Sequence, residues 1–92
     1  MIATNVPTEA AILERVIQPD RPNWSKAAAE SILGFQFPPP DIERMNVLAA
    51  KARAGSATPD EQTEMNNYMG VGRLLELFQS KARLSLKASR VA

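Results

Sequence analysis

The chain has 92 residues, 45% of them apolar and 23% charged, with a formal net charge of +1. That suffices for one small domain, which buries roughly 60% of the surface its unfolded chain exposes, and the charge is too balanced for a disordered chain. Cysteine and histidine are both absent, which excludes disulfides, thiolate nucleophiles, imidazole bases and the usual zinc ligands. Lack of cysteine suits a reducing compartment. No apolar run reaches the roughly 18 residues of a membrane span, and the opening "MIATNVPTEAA" lacks the basic start and apolar core of a signal peptide. The expectation is a soluble cytoplasmic protein with no membrane partner. It should form a single domain over residues 1–92, with residues 1–7 and 89–92 disordered.

Breakers divide the chain into helical pieces. Pro7 and Thr8 precede "EAAILERVIQ", where Ile12, Leu13, Val16 and Ile17 recur at helical spacing. Pro19 and Pro22 end this first helix, since proline lacks the amide hydrogen and its ring clashes with the preceding turn. In "NWSKAAAESILG", Ser25 is the expected N-cap, the alanines favour helix, and Gly34 is the expected C′ residue. Trp24, just before that cap, is placed to pack on Ala29 as a hydrophobic staple. "FQFPPP" reads as an extended connector, because each proline restricts the residue before it. Asp41 opens a third helix with one stripe of Ile42, Met45, Leu48, Ala49 and Ala52, and Gly55 closes it. "SATPDEQ" carries the strongest start signal, with Thr58 as N-cap, Pro59 at the first helical position and Glu61 completing a capping box. Asp60 and Glu64 add acids at the positive end of the helix dipole.

From Pro59 the helical pattern continues without proline to about Ala88, and no strand pattern is present. The fold expected is all-α, with three short helices plus a long C-terminal helix at about residues 59–88, forming a helical hairpin over 41–88. Thirty helical residues would span about 45 Å against about 30 Å for a small domain. The helix therefore either breaks at Gly70 or Gly72, each costing about 1 kcal/mol relative to alanine, or overhangs by its last ten residues. The continuous form is expected.

Charge is unevenly spread along this chain: residues 1–72 carry a net −3 and residues 73–92 a net +4. At 100° per residue, Tyr68, Val71, Leu74, Leu75, Phe78, Ala82 and Leu86 share one arc, the ordinary core-facing stripe. Leu77 and Leu84 fall off it, near Gly70 and Ala88. They read either as stray exposed leucines or as a second contact surface for a partner protein or a second copy of the chain, a homodimer. Arg73, Lys81, Arg83, Lys87 and Arg90 could instead meet nucleic-acid phosphates. Against that, Phe78 is the sole aromatic of the segment and belongs to the stripe, and basic residues near a helix C-terminus also simply complement its dipole.

Catalytic chemistry has little to stand on. The acidic groups Asp41/Glu43 and Asp60/Glu61/Glu64 sit at helix starts, where carboxylates belong, without a histidine, a cysteine or a phosphate-cradling loop beside them. No enzyme activity, cofactor or metal is expected.

With the residues laid out, "ILERVIQPD", "DIERMNVLAAKARAG", "TPDEQTEMNNY" and "VGRLLELFQSKARLSLK" resemble a group of short bacterial helical proteins common in cyanobacteria and planctomycetes. Its pattern is "RMNELAxKARxGxLTPEEQxELxxYxxVGxLLxLLQSKARxSL", and the similarity covers about residues 12–87. No chemistry is assigned to the group, whose members are often encoded beside a small HNH-type endonuclease. The resemblance implies a non-enzymatic partner of that nuclease, antitoxin-like in action. On matching positions, the implied partner surface comprises Val71, Leu74, Leu75, Leu77, Gln79, Ser80, Lys81, Ala82, Arg83 and Leu84, to which the basic Lys87 is added. Two departures stand out: Ala57 replaces a leucine, and Gly70 replaces a non-glycine residue. On this reading, truncation after Gln79 should leave a folded but binding-deficient domain.

Overall fold

The computed structural model describes residues 6–91. Within them the chain forms four helices and no strand: α1 (Glu9–Ile17), α2 (Lys26–Leu33), α3 (Pro39–Arg53) and α4 (Pro59–Val91). The all-α class and the long C-terminal helix are as the sequence indicates. α4 runs unbroken through Gly70 and Gly72 and continues past Ala88 to Val91, so the expected end lies three residues short. Of the ends expected to be disordered, residues 1–7 and 89–92, residues 89–91 are helical, and residues 1–5 and 92 lie outside the described residues. The chain divides into two compact units. One combines the chain up to Gly34 with the part of α4 from Glu76 onward, and the other comprises Phe35–Leu75.

Local chemistry sets the helix ends. The Thr8 hydroxyl accepts from Ala11 N–H at 3.1 Å and Ser25 from Ala28 N–H at 3.2 Å, both N-caps. α1 stops at Gln18, which takes a left-handed conformation (φ 54°). Pro19 accounts for the end of the helix here, since its ring disfavours the right-handed helical region for the residue before it. α3 starts two residues earlier than Asp41, at Pro39, with Pro38 as N-cap; prolines with a preset φ suit the first turn, whose amides would lack partners anyway. At its end Gly55 has φ +71°, Gly55 N–H bonds Ala52 O and Ser56 N–H bonds Lys51 O, which is the Schellman closure. Gly34, by contrast, remains right-handed (φ −81°), so it closes α2 without using its freedom as glycine.

In the Phe35–Leu75 unit, α3 and the first four turns of α4 form a hairpin. Leu48 is its buried centre, 1% exposed, with Met45, Ala49, Ala52 and Met65 half-buried around it. Ile42, given to the core stripe by its spacing, is 47% exposed. A two-helix layer covers only one side of each helix.

In the other unit, α4 packs on α1 and α2. Trp24 N–H bonds Ser85 Oγ, and the Gln79 side chain bonds Ile32 O, so α2 and α4 run antiparallel. That register sets Ala29 level with Ala82, and both are fully buried (0%). Two alanines at one level let the helix backbones approach closely. The expected overhang is thereby overturned: Lys81, Ala82 and Ser85 are all buried within the last eleven helical residues. Truncation after Gln79 would remove Lys81, Ala82 and Ser85, the buried α4 residues of this interface, so it should unfold the unit instead of leaving it intact. Trp24, for which a staple on Ala29 was expected, rests against Phe78, ring centroids 6.0 Å apart.

Candidate functional site

α4 sends three polar side chains inward, and each bonds a backbone group at or beside an end of α1 or α2. A helix leaves its last four carbonyls without intrahelical partners. Lys81 Nζ donates to Ile17 O (2.5 Å) and Gln18 O (3.1 Å) at the end of α1. Gln79 Nε2 donates to Ile32 O (3.2 Å) at the end of α2. Ser85 Oγ accepts from Trp24 N–H (3.3 Å) just ahead of α2. Lys81 is only 2% exposed, and among the described residues its ammonium has no carboxylate partner. Its charge is answered by the negative end of α1 and by the face of Trp24, 4.9 Å from Nζ to the ring centroid.

These contacts correct the partner surface. Lys81 and Ala82 are buried and can touch neither a partner protein nor a phosphate, and Gln79 is turned inward to α2. Leu74, Leu75 and Leu77 are half-buried. Ser80, Arg83, Leu84 and Lys87 remain exposed, at the i, i+3, i+4, i+7 spacing that places them on one side of the helix. Leu84 is 38% exposed; Arg83 reaches Glu76 Oε1 at 2.7 Å. Arg90 is exposed too, and among the described residues neither Lys87 nor Arg90 has an ion-pair partner. Val71 and Arg73 are exposed on the part of α4 that belongs to the other unit.

That other unit holds a ladder of charges. Arg44 grips Glu64 with two hydrogen bonds of 2.8 Å, and Lys51 Nζ lies 2.6 Å from Glu61 Oε2. Glu61 also accepts from Thr58 N–H while Thr58 Oγ1 accepts from Glu61 N–H, the reciprocal capping box. Lys51 and the Thr58 amide together hold the Glu61 carboxyl down at about 2, and Arg44 holds Glu64 below the usual range. Tyr68 Oη donates to Asp41 Oδ1 at 2.7 Å, which pushes the phenol upward. Beside this pair lies a groove of about 340 Å³ lined by Phe37, Asp41, Glu64, Asn67, Tyr68 and Val71. Nothing in the sequence pattern pointed to it.

The depressed carboxyl of Glu61 fixes a sign for acid stability. A group with a lower pKa in the folded state stabilises above its unfolded value and loses that contribution as pH falls through the folded one. The urea midpoint should therefore hold steady from neutrality to about pH 5 and decline between pH 4.5 and about 2. Glu61→Gln should lower the neutral-pH midpoint and flatten that decline. An unchanged acid limb would show that the ladder contributes nothing.

Among the described residues, no group of three or more acidic, histidine or cysteine side chains could hold a metal, and no helix is long and apolar enough to cross a membrane. No protein-family model, curated protein or solved structure matches the chain.

Proposed function

We propose that the protein is a non-enzymatic interaction protein that offers the outer side of α4 to a partner protein, with an HNH-type nuclease as that partner and an antitoxin-like role toward it. The observation that carries this reading is the exposed row Ser80, Arg83, Leu84, Lys87. A leucine flanked by long cationic side chains gives an apolar anchor inside a polar rim, the composition of a docking helix. The inward side of the same segment is taken up by α1 and α2, so a partner would meet this row. Resemblance to the nuclease-linked bacterial group supplies the partner's identity.

The same row bears on the nucleic-acid alternative, for which Arg73, Arg83, Lys87 and Arg90 would be the contacts. Glu76 answers Arg83 on that very side, and an exposed leucine has no use against phosphates, so protein is favoured. Self-association through Leu84 would appear as a dimer in light scattering that Leu84→Glu dissolves.

The test is co-purification of the tagged protein with an HNH-type nuclease of the kind often encoded beside members of the group it resembles. Leu84→Glu combined with Lys87→Glu should weaken that complex by about tenfold or more without changing the helical circular dichroism. A complex that survives the double substitution, or a nuclease that never co-purifies, would overturn the reading. Affinity for DNA that falls steeply with salt would favour the nucleic-acid alternative.

A further inference from the structure

We infer that the groove beside Tyr68 is a binding site for a cationic side chain, lysine or arginine, presented by a peptide segment of a partner protein. It is a different surface from the α4 row and does not rest on that reading.

The lining has three parts. Glu64, Asn67, Tyr68 and Val71 stand at i, i+3, i+4, i+7 on α4 and form one wall. Asp41, in the first turn of α3, and Phe37, in the connector ahead of it, form the other. Phe37 and Tyr68 meet edge to face, centroids 6.0 Å apart and planes at 62°, so the groove is flanked by two aromatic rings set at an angle. Rings disposed in this way attract an ammonium or guanidinium through their negative faces.

Charge decides the sign of the ligand. Glu61 and Glu64 are matched by Lys51 and Arg44, two acids against two bases. Asp41 is not matched: its partner is the neutral phenol of Tyr68, and among the described residues no cation is paired with it. Its carboxylate has oxygen lone pairs beyond the one that Tyr68 occupies. The groove thus presents a carboxylate with no ion-pair partner among the described residues, beside aromatic rings and the Asn67 amide.

Size and openness select the source. A volume of about 340 Å³ lies at the small end of ligand pockets, room for one long side chain. Val71, 52% exposed at the edge, provides apolar surface for the residues that flank that side chain. A stretch of peptide uses this shoulder; a free amine does not.

The molecule reports on its own groove, because Tyr68 is the sole tyrosine of the chain. The probe is a capped Ala-Arg-Val peptide titrated into the full-length protein while the Tyr68 ring protons are followed by NMR. Saturable shifts are expected, weakened by salt, and absent with the citrulline peptide of the same shape. Asp41→Asn retains an oxygen that accepts from Tyr68 but loses the charge, and should weaken binding about tenfold. Phe37→Leu, which keeps bulk and removes the ring, should weaken it several-fold. Binding of the citrulline peptide equal to that of the arginine peptide, no effect of Asp41→Asn, or no shift up to about 10 mM peptide would overturn the assignment. Equal binding by free agmatine would overturn its peptide source. Variants of Leu84 and Lys87 leave this groove intact, so the two proposals fail separately.

Discussion

Lys81→Ala should lower the free energy of unfolding by about 3 kcal/mol, read from the urea midpoint at constant slope. Two effects add. Removing the ammonium takes the donor from Ile17 O at the half-buried end of α1, while Gln18 O keeps its bond from Arg21 N–H, and an unsatisfied carbonyl costs about 1–3 kcal/mol. Removing the four-carbon stem leaves a void at a site only 2% exposed. Lys81→Met separates the two, since methionine fills much of the void but donates nothing; it should cost about 2 kcal/mol. The damage should centre on α1, which contains no fully buried residue and exposes Val16 at 71%. With so little apolar area holding it, α1 depends on this polar clamp more than a well-packed helix would. Amide exchange in α1 should accelerate in Lys81→Ala before that of α3 does. A loss below about 0.5 kcal/mol, the level of an ordinary surface substitution, would mean that the clamp is incidental.

This reverses what "QSKARLS" suggests as a string. Lysine, glutamine and serine on a basic helix near a chain end read naturally as surface residues awaiting a partner. Their partners are instead the free ends of α1 and α2. A trace of this was present in the sequence: Ser85 falls inside the arc from Leu74 to Ala82 and Lys81 lies only about 20° beyond its Leu74 edge, where a polar side chain must be snorkelled or paired. What the string could not show is which groups would meet them, because helix-end carbonyls carry no sequence signature. Only the fold brings residues 17 and 81 together.

Legibility elsewhere follows the range of the interaction. Caps and stops depend on three or four neighbouring residues, and Thr8, Ser25, Thr58, Glu61 and Gly55 each do what their local chemistry dictates. The core stripe of α4 was half legible. Phe78 and Ala82 belong to the packed side, whereas Val71, on the same arc, is 52% exposed because α3 covers only one flank of its unit. Periodicity finds the apolar side of a helix but not how much of it a small domain can cover. The groove beside Tyr68 was illegible, since it needs Asp41 and Tyr68, 27 residues apart, at 2.7 Å.

The largest gain in stability should come from the glycines that raised the prospect of a broken helix. Gly70→Ala combined with Gly72→Ala should stabilise the protein by about 2 kcal/mol, about 1 kcal/mol at each position. Both positions are helical without a positive φ, and a Cβ built at either meets nothing within 4 Å. Neither steric strain nor a close neighbour offsets the entropy that alanine removes from the unfolded chain. The glycines therefore weaken α4 without breaking it, and packing and hydrogen bonding on either side carry the helix across them. Gly55→Ala serves as the control of opposite sign: it too has space, but at φ +71° a Cβ is strained, and about 1 kcal/mol should be lost. A double variant less stable than the parent would mean that the native protein uses a conformation at residues 70–72 that alanine cannot adopt, which would return the chain to the broken-helix alternative.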